Sequence, residues 1–320
     1  MSTKDSTETD KLNSQLKLDS DGSPRRILEI GKQRTTWQEV LLFFAASLSV
    51  VIVFLIFLFT ILNGWQIIPE YGLGKYLFGD IWNPDVEFGI FPMIVGTFMV
   101  VIVALVLAVP IGISCAIFLS ELAHPKIRKI MKPAIELLAS IPSIVYGFIA
   151  LRTIVLFFQN VIGLKTGRTA FTAGLVLSIM ILPTIISISD DAIKAVPKSY
   201  REGSIALGAT KWQTIRKVVV PAAISGLVAA ILLGFARAIG ETMAVYMIGG
   251  GATNLHWNIF TPVDTLTSLI ARELGEAAVG STAYHAIFAA ACVLFIITFI
   301  VNLIGDLIIR RFSKKLTGGR

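Results

Sequence analysis

The sequence predicts an all-α membrane protein with six transmembrane helices, and three observations carry that prediction. Of its 320 residues, 55% are hydrophobic and only 15% charged, where a soluble chain ordinarily carries about a quarter charged residues. The apolar residues, which raise mean hydropathy to +0.77, fall in runs long enough to span a bilayer, for which about 20 helical residues suffice. Lys and Arg gather in alternate connecting segments, as the positive-inside rule requires of a multi-span chain. This composition disfavours a cytosolic enzyme or DNA-binding protein.

Residues 1–40 mix seven basic residues with acids, Ser and Thr, the make-up of a flexible cytoplasmic tail. Residues 41–62 carry no charge and form a first span, too long and too far from the start for a cleaved signal peptide. An external loop, 63–90, offers Trp65, Tyr71 and Trp82 as interface anchors. A five-helix core, 91–309, follows. Its first span, about 91–119, contains Pro110 and Gly112, which neighbouring helices must accommodate. Lys126, Arg128, Lys129 and Lys132 then mark a cytoplasmic loop. The third span, 134–158, is broken at Ile141-Pro142, and 159–170 is a short external turn. Within it GLKTGRT (163–169) imitates a phosphate-cradling loop, but it has three residues between its glycines rather than four and Arg in place of Lys, so it reads as a plain loop. The fourth span is 171–189, the fifth 222–248 and the sixth 286–309, with a Gly- and Thr-rich external loop between the last two and a cytoplasmic tail at 310–320. Six spans starting inside also end inside, and 22 of the 28 Lys and Arg fall on that side.

Between the fourth and fifth spans lies a polar stretch, 190–221, that reads as a pair of short helices. Ser199 with Glu202, and Thr210 with Gln213, have the spacing of capping boxes. Gly208 between them suits a left-handed helix end, and Pro221 closes the segment. Trp212, Ile215 and Val219 fall on one apolar stripe that seeks a partner or a membrane edge. Two short helices around a Gly are also the outline of a DNA-reading helix-turn-helix. Here, however, Lys211, Trp212 and Gln213 lead into an apolar stripe that runs straight into a span, where a reader would present base-contacting polar residues.

Inside the fifth span Arg237 and Glu241 stand four apart, on one helix face if the helix is unbroken. Arg237 lies roughly 22 Å into that span, where an uncompensated Arg costs at least ~3 kcal/mol. The pair therefore either lines a water-filled path for an anion or packs as an internal ion pair. Ala222, Gly226, Ala230, Gly234, Ala238 and Thr242 form a small-residue ridge beside it, open to close approach by another helix. Arg152 is a weaker path residue, since it also suits snorkelling to the interface. Asp306 and Arg310 read as a surface pair. Glu121, Glu136, Asp190 and Asp191 sit at span edges, where solvation accounts for them. Cys115 and Cys292 lie in apolar runs as packing residues, no His or Cys spacing suggests a metal, and neither a nucleotide-binding loop nor a catalytic set is present.

EGSIALGATKWQTIRKVVVPAA (202–223) resembles the EAA loop of binding-protein-dependent ABC importer permeases. With it, GTFMVVIVALVLAVPIGISCAIFLSE, ELLASIPSIVYGF, GLVLSIMILP and GFARAIGETMAV resemble the PstC-type permeases of phosphate importers, from about residue 89 to the end. The resemblance implies a type I ABC importer permease fold in which the short helices are coupling helices, docking on a cytoplasmic ATPase dimer with Glu202, Gly208 and Pro221 at the matching motif positions; Trp212 and Ile215 of the apolar stripe join them as coupling residues. It further implies that Arg237 and Glu241 act in phosphate passage. Gly203 and Ser204 replace the family's usual alanines, and the Gly lowers helix propensity by up to ~1 kcal/mol.

On this reading the chain is no enzyme and holds no cofactor of its own, ATP being bound by partner subunits. Its expected partners are a second, PstA-like permease, the ATPase dimer, an external phosphate-binding protein and the lipid bilayer, with no nucleic acid. Its expected place is the cell (plasma or inner) membrane, both termini cytoplasmic. A permease for molybdate or sulfate is the alternative within transport, and a membrane-anchored DNA-binding regulator the alternative outside it.

Overall fold

The computed structural model describes residues 37–84 and 87–316, with 312–316 described by backbone alone. The predicted tail 1–40 thus falls almost wholly outside the described residues, as does the end of the 310–320 tail. Two units divide the chain, one ending at Ile56 and the other beginning at Phe57. In the first, residues 37–56 are continuous helix, the N-terminal part of α1 (Trp37–Gly64). Its apolar side chains are exposed, as suits a helix surrounded by lipid.

The second unit continues through α2 (Ile67–Tyr71), α3 (Leu73–Phe78), the antiparallel pair β1 (Trp82–Asn83) and β2 (Glu87–Phe88), and α4 (Phe91–Ile117), closed by a π turn at Phe118–Leu122. Next come α5 (Pro125–Ser140), α6 (Ser143–Arg152), α7 (Ile154–Asn160), α8 (Ala170–Lys194) and α9 (Lys198–Ala206). Helix α10 (Lys211–Thr214) runs into a second π turn (Ile215–Val219) and α11 (Val220–Ala222). The chain ends with α12 (Ile224–Ile239), α13 (Met243–Ile248), α14 (Leu266–Glu273) and α15 (Thr282–Leu316).

Among the described residues five helical stretches are long and apolar enough to cross a membrane, and a sixth appears if Lys211–Ala222 and Ile224–Ile239 are joined across a 68° bend. Two predicted spans change form. Residues 134–140 belong to α5, a separate helix from Pro125 to Ser140, so the third span begins at Ser143. The predicted fifth span is not one helix: α12 stops at Ile239, and α13 starts at Met243 after a break at Gly240–Thr242. The predicted external loop 63–90 is also structured. Trp82 is buried edge-on against Phe88 rather than standing as an interface anchor, and the Tyr76 hydroxyl donates to the Ala286 carbonyl at 2.7 Å.

Helix α8 is the centre of the unit, buried along most of its length. Glycines let its neighbours close in. A Cβ at Gly112 of α4 would stand 2.7 Å from Ile185, and one at Gly174 would stand 2.6 Å from Val103. The predicted ridge on α12 meets the same helix: a Cβ at Gly226 would lie 2.4 Å from the Ala192 Cβ, and one at Gly234 would lie 2.8 Å from Ile185. Close backbone approach of this kind is how helices associate where lipid removes the hydrophobic drive. It brings the last turn of α12, with Arg237, against the middle of α8.

Candidate substrate path and coupling hairpin

Arg237 occupies the last turn of α12, where the helix dipole favours a cation. Its side chain is exposed, and Nη1 donates to Thr184 Oγ1 of α8 at 3.1 Å. Glu241 lies beyond the helix end, so the i,i+4 geometry expected of an unbroken span does not hold. Instead its carboxylate accepts the Ala244 N–H at 3.2 Å, capping α13, and its carbonyl accepts the Thr267 hydroxyl at 2.9 Å. Among the described residues Arg237 forms no ion pair, with Glu241 or any other acid. The internal-pair alternative is thus not formed: the guanidinium lies beside a neutral hydroxyl, and the acid serves as a cap. Arg152 is exposed, its guanidinium 6.0 Å from the Phe148 ring centre, a cation–π contact that does not bring it to Arg237.

The polar stretch folds as a hairpin. Helix α9 ends in a full Schellman motif, with Ala209 N–H donating to Ser204 O and Gly208 N–H to Ile205 O; Gly208 takes φ +83°, the left-handed value this motif needs. The Thr210–Gln213 capping box is formed. The Ser199–Glu202 box is not. Pro197 occupies the N-cap of α9 and Ser199 falls two residues inside, too late to cap. The expected stripe also splits: Ile215 and Val219 are buried in the chain's own packing, whereas Trp212 is exposed. Ile215 thus offers no surface for docking. Glu202 is exposed, and Pro221 sits in α11 at the 68° bend. Leu207, unremarked in the sequence, is 91% exposed, and with Gly208 and Gln213 it lines an open cleft of about 590 Å³.

The hairpin's end of the bundle also holds charge clusters that local sequence rules missed. Asp190 is buried, not solvated, among Arg128 (3.4 Å), Lys132 (3.7 Å) and Lys194. Glu121, on the π turn after α4, is paired with Arg201 of α9 at 2.7 Å. The Asp190–Lys194 spacing of four was the one readable signal, because the other partners are 58 or more residues apart in sequence. At the opposite end Asp264 Oδ2 lies 2.7 Å from Arg272 Nη1 without an aligned hydrogen bond. Burial raises the Asp264 carboxyl above the usual aspartate range despite that cation.

A bundle of membrane-spanning helices, a polar hairpin braced at one end and an exposed cation at a helix break beside the central helix define a membrane transport permease. Residues 108–317 match the family described as binding-protein-dependent transport system inner membrane component, and the chain belongs to that family. It is 45% identical over 226 residues to the probable ABC transporter permease protein YqgH of Bacillus subtilis, covering 70% of this chain and 73% of that protein. To the phosphate transport system permease protein PstC of Haemophilus influenzae it is 36% identical over 303 residues, covering 87% and 95%. A chain of a bacterial alginate ABC transporter shares the fold with a TM-score of 0.60 at 17% identity, covering 88% of this chain and 99% of that one. A chain of the MetNI methionine ABC transporter does so at 0.52 and 23%, covering 70% and 94%.

Proposed function

We propose that the chain is one membrane permease subunit of an ATP-driven importer that carries inorganic phosphate delivered by an external binding protein. It pairs with a second, PstA-like permease. Two cytoplasmic ATPase subunits bind the ATP and dock on the 190–221 hairpin through Glu202, Gly208 and the exposed Trp212. Both termini and the hairpin lie in the cytoplasm, in keeping with the distribution of Lys and Arg. Relatives named as phosphate permeases along most of their length support the choice of anion.

One observation carries the path: Arg237 is held by a neutral Thr184 hydroxyl and not by a carboxylate. A phosphate leaving water needs replacement donors, and an unneutralised guanidinium offers a planar fork of N–H groups matched to its oxygens. The Thr184 contact aims that fork without cancelling its charge. Glu241 holds the next segment in place beside it. In the reconstituted complex phosphate, rather than sulfate or molybdate, should stimulate ATP hydrolysis, and Arg237→Ala should abolish phosphate uptake while the complex still assembles. Normal uptake by that variant removes Arg237 from the path.

A further inference from the structure

The hairpin's second arm is seated on the spans, with Val219 packed in one apolar cluster with Ala116 and Ile193, but its first arm, α9, is not. No residue of α9 is buried, so this helix has no apolar face seated on the bundle. Besides a Ser204–Thr214 hydroxyl contact with the second arm at 3.0 Å, Arg201 connects α9 directly to the spans. Its Nε and Nη2 donate to Glu121 Oε1 at 3.1 and 2.7 Å, Nη1 donates to the Val196 carbonyl at 2.6 Å, and Nη2 also donates to the Ile193 carbonyl at 2.8 Å. Ile193 is in the last turn of α8 and Val196 just beyond it, where helix carbonyls lack intrahelical partners and carry the negative end of the dipole. Glu121 stands on the π turn that closes α4. One guanidinium therefore ties three segments together: coupling helix α9, the end of α8 and the end of α4.

We propose that Arg201 is a positioning residue for transport, a tether through which movement of α9 in the ATPase-bound hairpin pulls on α4 and α8. Helix α8 gives the tether its route, because Thr184, which holds Arg237, lies on the same rigid helix nine residues before Ile193, roughly 14 Å along the axis. A lysine cannot replace Arg here, since a single ammonium cannot span a carboxylate and two carbonyls with the planar fork. Nor is the pair separable: removing either partner leaves the other charge largely buried and unmatched.

The inference rests on the importer reading, and phosphate moved per ATP hydrolysed, in vesicles holding the complete complex, tests the two apart. If the wild-type complex moves no phosphate, the importer reading fails whatever Arg201 does. Given an active wild type, Arg201→Ala should lower the ratio at least tenfold, with ATPase subunits still bound and ATP still hydrolysed. Arg201→Lys and Glu121→Gln should lower it less, and they decide the matter if the alanine variant fails to assemble. A merely structural role would reduce the amount of complex and leave the ratio per assembled complex unchanged. An unchanged ratio in these variants overturns the proposal.

Discussion

Gly208→Val isolates one physical term, the backbone conformation at the hairpin's turn. Gly208 has φ +83°, and a Cβ built there would meet nothing within 4 Å, so space is no obstacle to a larger residue. What the valine meets is the left-handed region itself, where a β-branched residue is a genuine outlier and strain runs to about 1–3 kcal/mol. The turn's two Schellman hydrogen bonds exist only in that conformation, so the strain falls wholly on the formed hairpin. At 1.4 kcal/mol per factor of ten, the formed hairpin should lose about fivefold to 150-fold in population. Affinity of the purified permease complex for its ATPase subunit, measured by titration, should fall by a similar factor. Gly208→Asn, which tolerates left-handed backbone better, should fall least, with Gly208→Ala between. Equal affinity for the valine variant, or an asparagine variant as weak as valine, would refute the conformational argument.

Helix α9 runs unbroken through Gly203, where an added Cβ meets no atom, so Gly203→Ala should stabilise the hairpin by up to ~1 kcal/mol, seen as slower amide exchange in 198–206; unchanged exchange there contradicts it. Asp264 is the pH-sensitive group at the opposite end. Because burial raises its folded-state value, the folded chain binds that proton more tightly than the unfolded chain. Stability should therefore fall as pH rises from about 4 through the raised value, and level off above it. Asp264→Asn should flatten that slope in thermal unfolding scans, and an unaltered slope would assign it to another group.

What could be read from sequence followed from rules that act within one helical turn or one bilayer thickness. The apolar runs marked the spans, though the third and fifth changed form, Gly208 placed the left-handed turn, and Thr210 with Gln213 placed a cap. Ser199 with Glu202 had the same spacing but lost its place to Pro197, whose ring and fixed φ start the helix two residues earlier. Helix α5 was hidden by its own charge. Its apolar positions Ile127, Ile130, Met131, Leu137 and Leu138 keep helical spacing, yet Pro125, Pro133 and four basic residues make 125–133 look like a loop, and 134–140 reads as the start of the third span. The ties between Arg201 and Glu121, and between Arg128 and Asp190, join residues 80 and 62 apart, and no local pattern encodes such pairs. Thr184 was passed over as one more hydroxyl in an apolar run.

The break at Gly240 was the least legible feature, because glycine is tolerated within membrane helices, and it decides the chemistry at Arg237. In an unbroken helix Glu241 would stand one turn above Arg237, and in a medium of low polarity the two charges would pair, leaving a weak attractor for a phosphate. The break instead turns Glu241 toward Ala244 and leaves Arg237 to Thr184. Gly240→Ala tests this directly. Gly240 sits at φ −88° and ψ −3°, and a Cβ there would be 3.5 Å from the nearest carbonyl, so alanine fits the native backbone while favouring helix by about 1 kcal/mol. That bias shifts the balance between broken and continued helix about fivefold. Phosphate uptake should fall with assembly intact, and adding Glu241→Gln should restore it, since a neutral side chain cannot quench Arg237 even where the helix continues. Uptake that stays low in the double variant would show that the break serves something other than keeping the cation free.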